Sequence, residues 1–324
     1  VTGVQTCALP IYEYDRAGKR VSRILEFTKT PAKGFDYTTK RAISSHAEKP
    51  VEAHFSHGGR YIWVSWHNGD GVIVWDLDDA NAFAGDTSAR EATVHLHDEA
   101  GKLTESKKIK IKYIRTGETP KVITPTNDGK YMMVSNWHSY TISFIDIASA
   151  DPAQWRVVKD VKVDAIPRGM SVSDDNTKAY IALMGGGRVT EINLADFSIL
   201  GNYSVGAAPR HLLSKGDTLF ISLNAGKKVL QFHAVEKKIL RSVVTDVSPR
   251  TMEFNPDKTL LFVANYKGNS VQVFNASTLE PIHRLPSAGS PIGLAIHQQG
   301  DSLEVWVGKY AASAVEVFTC KLGN

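Results

Sequence analysis

Apolar and polar residues alternate along most of the chain in short runs, and turn residues separate the runs. Period-two alternation bounded by Gly, Asp, Asn and Pro predicts short strands, and no run keeps the 3.6-residue period of a helix. Six segments begin with a proline and then follow the same course. They are KPVEAHFSHGGRYIWVS from Lys49, TPKVITPTNDGKYMMVSNW from Thr119, IPRGMSVSDDNTKAYIALM from Ile166, APRHLLSKGDTLFISLN from Ala208, SPRTMEFNPDKTLLFVANY from Ser248 and SPIGLAIHQQGDSLEVWVGKY from Ser290. The prolines Pro50, Pro120, Pro167, Pro209, Pro249 and Pro291 are spaced by 70, 47, 42, 40 and 42 residues. Each unit gives two strands, then a third such as TISFID ending at Asp146, and usually a fourth such as KKILRSVV ending at Val244.

Four strands per roughly 40 residues predicts an all-β chain, a β-propeller of four-stranded blades. One small twisted sheet cannot bury both of its faces, whereas stacked repeats can. A β-sandwich leaves the proline-to-proline period unexplained. The A–B turns fit, because Asn127-Asp128-Gly129, Asp174-Asp175-Asn176 and Pro256-Asp257-Lys258 supply polar, left-handed-tolerant residues.

The first spacing is long because blade one carries an insertion over residues 77–106, with a hairpin in ATVHLHDEAGK. Ile11–Asp15 and Arg20–Phe27 match the third and fourth strands of a further blade, and the last unit stops after its third strand. Residues 12–324 are therefore expected to form a single propeller domain. Its parent is seven-bladed, present here as six blades plus a half blade of third and fourth strands; the alternative is a six-bladed ring closed by Arg20–Phe27. Residues 1–11, VTGVQTCALPI, resemble a translated sequencing-library adapter and are set aside as non-native. Cys7 then carries no weight, and a signal-peptide region is expected to be missing.

Composition adds exclusions. Hydrophobic residues at 42% and charged residues at 22% are those of a globular chain, not a disordered one. No apolar run is long enough for a membrane span. The two cysteines, Cys7 and Cys320, exclude a disulfide framework and any CxxC metal or haem motif. GxSxG, HExxH, P-loop and strand-to-helix GxGxxG motifs are absent. A net charge of +4 implies no partner unless the cations cluster.

On these repeats the chain resembles the YVTN-repeat β-propellers, the YncE-like proteins. The likeness runs from about Tyr12 to Phe318, on the proline starts, YMMVSNW (131–137), AYIALMGG (179–186), PRHL (209–212), LFISLN (219–224) and LFVANY (261–266). It implies a periplasmic, extracellular or cell-surface binding module, for a family mostly without an assigned activity. The chain departs from the pattern at both ends, and at Pro50-Val51 and Pro291-Ile292 no cation follows the proline.

The cations do cluster. Lys121, Arg168, Arg210 and Arg250 follow the proline in four consecutive blades, where the inner strand of a propeller starts at the channel mouth. The B–C loops expected on that face add His67, His138 and Lys267, while the A–B turns bring Asp128, Asp174, Asp175 and Asp257 to the opposite face. Arginine suits a carboxylate or phosphate gripped by a two-donor fork. The bland reading is that each cation pairs with a neighbouring carboxylate or a loop carbonyl. Trp66-His67 and Trp137-His138 occupy matching places and suit stacking on a sugar or base, or act as rim aromatics beside solvated histidines. His211 faces the channel beside Arg210. Two histidines without a nearby carboxylate are a weak metal signal, and no metal or cofactor is expected.

Three functions follow. The first is a non-catalytic, monomeric binding propeller whose basic face takes an anionic small molecule, an acidic glycan, a nucleic acid or an acidic protein segment. The second is a lactonase-like hydrolase or lyase using His138, His211, Arg168 and Arg210, with Glu52 as the carboxylate closest behind a blade proline. The third is a docking scaffold for a protein partner, with the blade-one insertion as its docking element.

Overall fold

The computed structural model describes residues 11–27, 30–36, 41–46 and 50–322. Cys7 and the rest of residues 1–10 lie outside them. The chain divides into two compact units, Val1–Lys162 and Val163–Asn324. Among the described residues no helix is long and apolar enough to cross a membrane.

The first unit holds β1 (Ile11–Asp15), β2 (Arg20–Phe27), β3 (Thr30–Asp36), β4 (Arg41–His46), β5 (Pro50–Ser56), β6 (Tyr61–Trp66), β7 (Gly71–Asp76), β8 (Arg90–His97), β9 (Leu103–Arg115), β10 (Pro120–Pro125), β11 (Tyr131–Asn136), β12 (Thr141–Asp146) and β13 (Arg156–Lys162). Strands β10 to β13 form one four-stranded antiparallel blade, and β3 pairs with β4. Blade one is β5-β6-β7-β9, and its sheet continues through β8 and β2 to β1, seven strands in all. The 13-residue β9 makes this possible. Its last residues pair with β7 (Val74 opposite Lys112), and its earlier part pairs with β8 (Arg90 opposite Ile111). The sequence reading gives the β1–β2 hairpin to a further blade; its neighbour in the structure is β8, with Phe27 opposite Ala92. The reason is apolar cover. Ile11, Leu25 and Phe27 bury against Ala92, Val94, Ile109 and Ile111, continuous with Trp66 and Trp75, so the insertion hairpin hides its apolar face under the N-terminal one.

The second unit repeats more strictly. Its blades are β14 (Pro167–Val172), β15 (Lys178–Leu183), β16 (Arg188–Asn193) and β17 (Ile199–Ser204); β18 (Pro209–Lys215), β19 (Thr218–Leu223), β20 (Lys228–His233) and β21 (Lys238–Val244); β22 (Pro249–Phe254), β23 (Leu260–Asn265), β24 (Ser270–Asn275) and β25 (Pro281–Pro286); and the three-stranded β26 (Pro291–Gln299), β27 (Ser302–Lys309) and β28 (Ala314–Lys321). Second and third strands are buried on both faces, while the outer strands are mostly exposed. Glu191 is buried within this unit and takes Lys178 at 2.9 Å, Lys237 at 2.5 Å and the Tyr203 hydroxyl at 2.9 Å, tying two blades together. These sheets are propeller blades, and the chain is of the β-propeller class.

Candidate functional site

Each inner strand begins at a proline, which has no N–H to give a ladder and sits well at the start of an edge strand. The residue ahead of it is left-handed in four blades: Thr119, Ala208, Ser248 and Ser290 have φ between 53 and 62°. Directly after the proline all six inner strands break register against their second strand. Pro167 faces Leu183, yet Met170 already faces Ile181. A bulge of this kind swings its extra residue out of the ladder. The bulged residues are the predicted cations Lys121, Arg168, Arg210 and Arg250.

Serines on the second strands support the bulges, and sequence reading did not single them out. Ser222 Oγ accepts from the His211 amide at 3.1 Å and donates to the Arg250 carbonyl at 2.9 Å. Ser65 Oγ does the same in the first unit, accepting from Glu52 N at 3.1 Å and donating to the Lys121 carbonyl at 2.8 Å. Their signal is a polar residue inside an otherwise apolar buried strand. Where Ala182 stands instead, the adjacent inner strands touch directly: a Cβ on Gly169 would lie 2.6 Å from the Arg210 carbonyl oxygen.

In the second unit Arg168, Arg210, His211 and Arg250 thus stand at the proline ends of adjacent inner strands. Arg168 is 7% exposed. Arg210 Nη1 is 3.8 Å from Met184 Sδ. The Arg250 guanidinium lies over the Tyr266 ring at 5.2 Å, and Tyr266 meets Tyr310 edge-on at 6.0 Å. His211 is half-buried, but its Nδ1 is enclosed and makes no hydrogen bond. Burial, then the charges of Arg168 and Arg210, push its pKa down to about 4. The imidazole is therefore neutral at pH 7 with one ring nitrogen unsatisfied. Lys267 is exposed in the β23–β24 turn.

In the first unit Lys121 Nζ lies 4.4 Å from the centroid of the Trp137 ring. His138 Nδ1 is 2.7 Å from Thr119 Oγ1, and burial, then Lys121, lowers its pKa. The two Trp-His pairs part company here. Trp137 is half-buried beside its cation, whereas Trp66 is 3% exposed and packs on Phe27 at 5.7 Å and Tyr113 at 5.8 Å. Trp66 is a core residue rather than a rim aromatic, and Gly69 exists to make room for it, since a Cβ there would touch the indole at 2.8 Å. His67 is buried, with Nδ1 2.6 Å from Asn68 Oδ1. Glu52 is half-buried on β5.

Sequence reading also passed over Glu253, four residues after Pro249. Burial pushes its carboxyl up to about 7, and the Phe254 amide donates to it at 3.1 Å. The acidic A–B turns do structural work: Asp128, Asp175 and Asp257 accept local turn hydrogen bonds. Among the described residues no three His, Cys, Asp or Glu side chains gather into a metal site, and Cys320 is an exposed thiol.

No family model matches the chain, and no curated protein matches it. Many solved structures do. One is the hydrazine synthase of Kuenenia stuttgartiensis, which aligns with a TM-score of 0.64 at 19% identity over 83% of this chain and 76% of that one. At that identity the likeness carries the fold alone.

Proposed function

We propose that the chain is a non-catalytic binding propeller, and that it takes an anionic ligand at the proline ends of the inner strands of its second unit. The carrying observation is His211: an enclosed, unsatisfied Nδ1 on a ring that burial, and then the charges of Arg168 and Arg210, keep neutral. An anion there would meet Arg168 and Arg210 and accept a hydrogen bond from the imidazole, and Tyr266, under Arg250, and Tyr310 offer aromatic faces within the same unit. An acidic glycan, a nucleotide, a single-stranded nucleic acid or an acidic peptide has the required chemistry. A bound anion offsets the two guanidinium charges, the lesser cause of the depression, so the pKa rises on binding and affinity strengthens as the pH falls towards about 4. Lys267 is a further candidate contact, and Lys121, Trp137 and His138 form a separate candidate cluster within the first unit. The repeated proline-cation starts support membership of the YVTN-repeat, YncE-like family, and with it an exported, monomeric module.

The test is stabilisation against heat by oligonucleotides, nucleotides and acidic glycans at low and high salt, with wild type beside Arg210→Ala and His211→Ala. Stabilisation that fades with salt and is lost in both variants is expected. Equal stabilisation of wild type and variants would remove the ligand from this site.

A second reading, a lactonase-like hydrolase, has one observation in its favour. Glu253 is a carboxyl poised near neutral pH on the same strand as Arg250, the property a general acid needs. It fills the place for which the sequence offered only Glu52. Turnover of a lactone panel that Glu253→Gln abolishes would establish this reading over the first.

A further inference from the structure

The turn after the inner strand is built to one recipe in three blades, those turning at 126–129, 173–176 and 255–258. A Ser, Thr or Asn opens it, and an Asp two residues later collects the hydrogen bonds. Thr126 Oγ1 donates to Asp128 at 2.6 Å, and Ser173 Oγ donates to Asp175 at 2.5 Å. A single left-handed residue completes each such turn: Gly129, Asn176 or Lys258. Blades four and six use shorter turns through Gly216 and Gly300, and blade one departs in its own way. Its turn reads Ser56-His57-Gly58-Gly59-Arg60, with Gly58 where Asp is expected. Three successive residues are left-handed, with φ of 52, 67 and 96° at His57, Gly58 and Gly59. Among the described residues no other stretch holds three successive residues left-handed, and conformations of that kind gather at functional sites.

The departure repositions one hydroxyl and one ring. With no Asp to receive it, Ser56 Oγ lies 2.9 Å from His57 Nδ1 and accepts from Trp63 Nε1 at 2.9 Å. This tie lays the imidazole on a stack. Trp63 is under Trp155 at 5.3 Å, and Trp155 is under His57 at 4.9 Å with 26° between the planes. Tyr61 closes the side of the stack edge-on. Trp155 is itself brought in by a feature particular to this blade pair, the short 3-10 turn Pro152–Gln154, and its Nε1 donates to the Ser149 carbonyl at 2.8 Å. Both indoles are buried, so His57, exposed, is the outermost ring.

His57 borders a cleft of 740 Å³ between this turn and the Asn127–Lys130 turn, with Phe55 and Pro125 among its apolar walls. That volume lies within the range of small-molecule sites, about 300–1,000 Å³. The cleft presents one carboxylate, Asp128, and one ammonium, Lys130, beside the Asn127 amide, so it carries no net charge. It lies at the opposite end of the inner strands from their prolines. A flat, ring-backed platform in a cleft that Asn127 and Asp128 also line suits a ring with one C–H face and several hydroxyls.

We infer that this cleft is a binding site for a neutral sugar, one pyranose ring resting on His57 and its hydroxyls meeting Asn127 and Asp128. The inference is independent of the anion site and uses none of its residues.

The experiment titrates the intact protein with maltotriose, cellotriose and chitotriose at millimolar concentration, following tryptophan fluorescence and the His57 imidazole resonances. Saturable binding of at least one trisaccharide, with an affinity indifferent to salt, is expected. His57→Ala should weaken it at least tenfold at unchanged Tm. Ser56→Ala is the second variant: it removes the hydroxyl that holds the His57 ring in place, and should weaken binding while keeping the fold. No saturable response to any of the three sugars overturns the inference. So does binding that survives both variants, or binding that Arg210→Ala removes.

Discussion

The turns at the far ends of the inner strands are closed in the second unit and open in the first. In the second unit Lys258 Nζ reaches Asp174 at 3.3 Å and the Ser214 carbonyl at 3.2 Å. Asp174 also accepts from the Gly216 amide at 2.7 Å, and Lys215 Nζ donates to the Lys258 carbonyl at 2.8 Å. Three turns from three blades are knotted together by side chains. In the first unit the turns of blades one and two stand apart over a cleft, propped by a stack of rings rather than by charges. The same repeat position is therefore a fastener in one region and a wall in the other. Where adjacent turns are cross-linked no ligand can enter between them; where aromatic packing holds them apart, the space stays available.

The largest test of this difference removes the prop. Trp155 is 3% exposed and touches Trp63, Tyr61 and His57. Trp155→Ala should cost about 3–5 kcal/mol by loss of burial and the cavity it leaves. Chemical denaturation should show the loss in the transition that reports the first unit. An unchanged midpoint would mean that the ring stack does not hold the turns apart.

Much of this was legible in the residues, and what was not has definable causes. Proline spacing and alternation gave the blades because both are backbone demands that any sequence in this fold must meet. The cations after Pro120, Pro167, Pro209 and Pro249 were visible for the same reason. The bulge that turns them out of the ladder was not, because it depends on pairing register. Trp66 and Trp137 look alike in sequence, but only Trp66 is sealed by Phe27, whose approach depends on where a distant hairpin docks. Glu253 was hidden because its chemistry comes from burial rather than from a motif. His57 was passed over because its partner, Trp155, is nearly a hundred positions away and arrives through a turn with no repeat to announce it.

The middle test concerns how the closed region is fastened. Burial alone would raise the Glu191 carboxyl, yet hydrogen bonds from Lys237, Lys178 and Tyr203 outweigh it and hold the group below its ordinary value of 4.5. A depressed folded value means that its contribution is full above about pH 4.5 and fades as the pH falls through that lower value. Glu191→Gln should cost about 2 kcal/mol at neutral pH, less than a fully enclosed pair because both ammonium groups reach solvent. The gap between wild type and variant should shrink in acid. A gap constant with pH would show that Glu191 acts by packing alone.

The smallest effect comes from untying the turns themselves. Asp174 and Lys258 are each exposed by more than a third, and a pair of that kind contributes about 0.2–1 kcal/mol. Asp174→Ala should therefore lower stability by less than about 1 kcal/mol, and high salt should erase part of the difference. Local protection is the more telling readout. The Gly216 amide loses its acceptor, so its hydrogen exchange should speed up well beyond what the global change accounts for, while amides in the buried strand Thr218–Leu223 keep their rates. If Gly216 exchanges no faster, the turns are held by their own backbone and the cross-links are incidental. The closed region would then owe its closure to the spacing of its blades, and the cleft of the first unit would have to be explained by spacing as well.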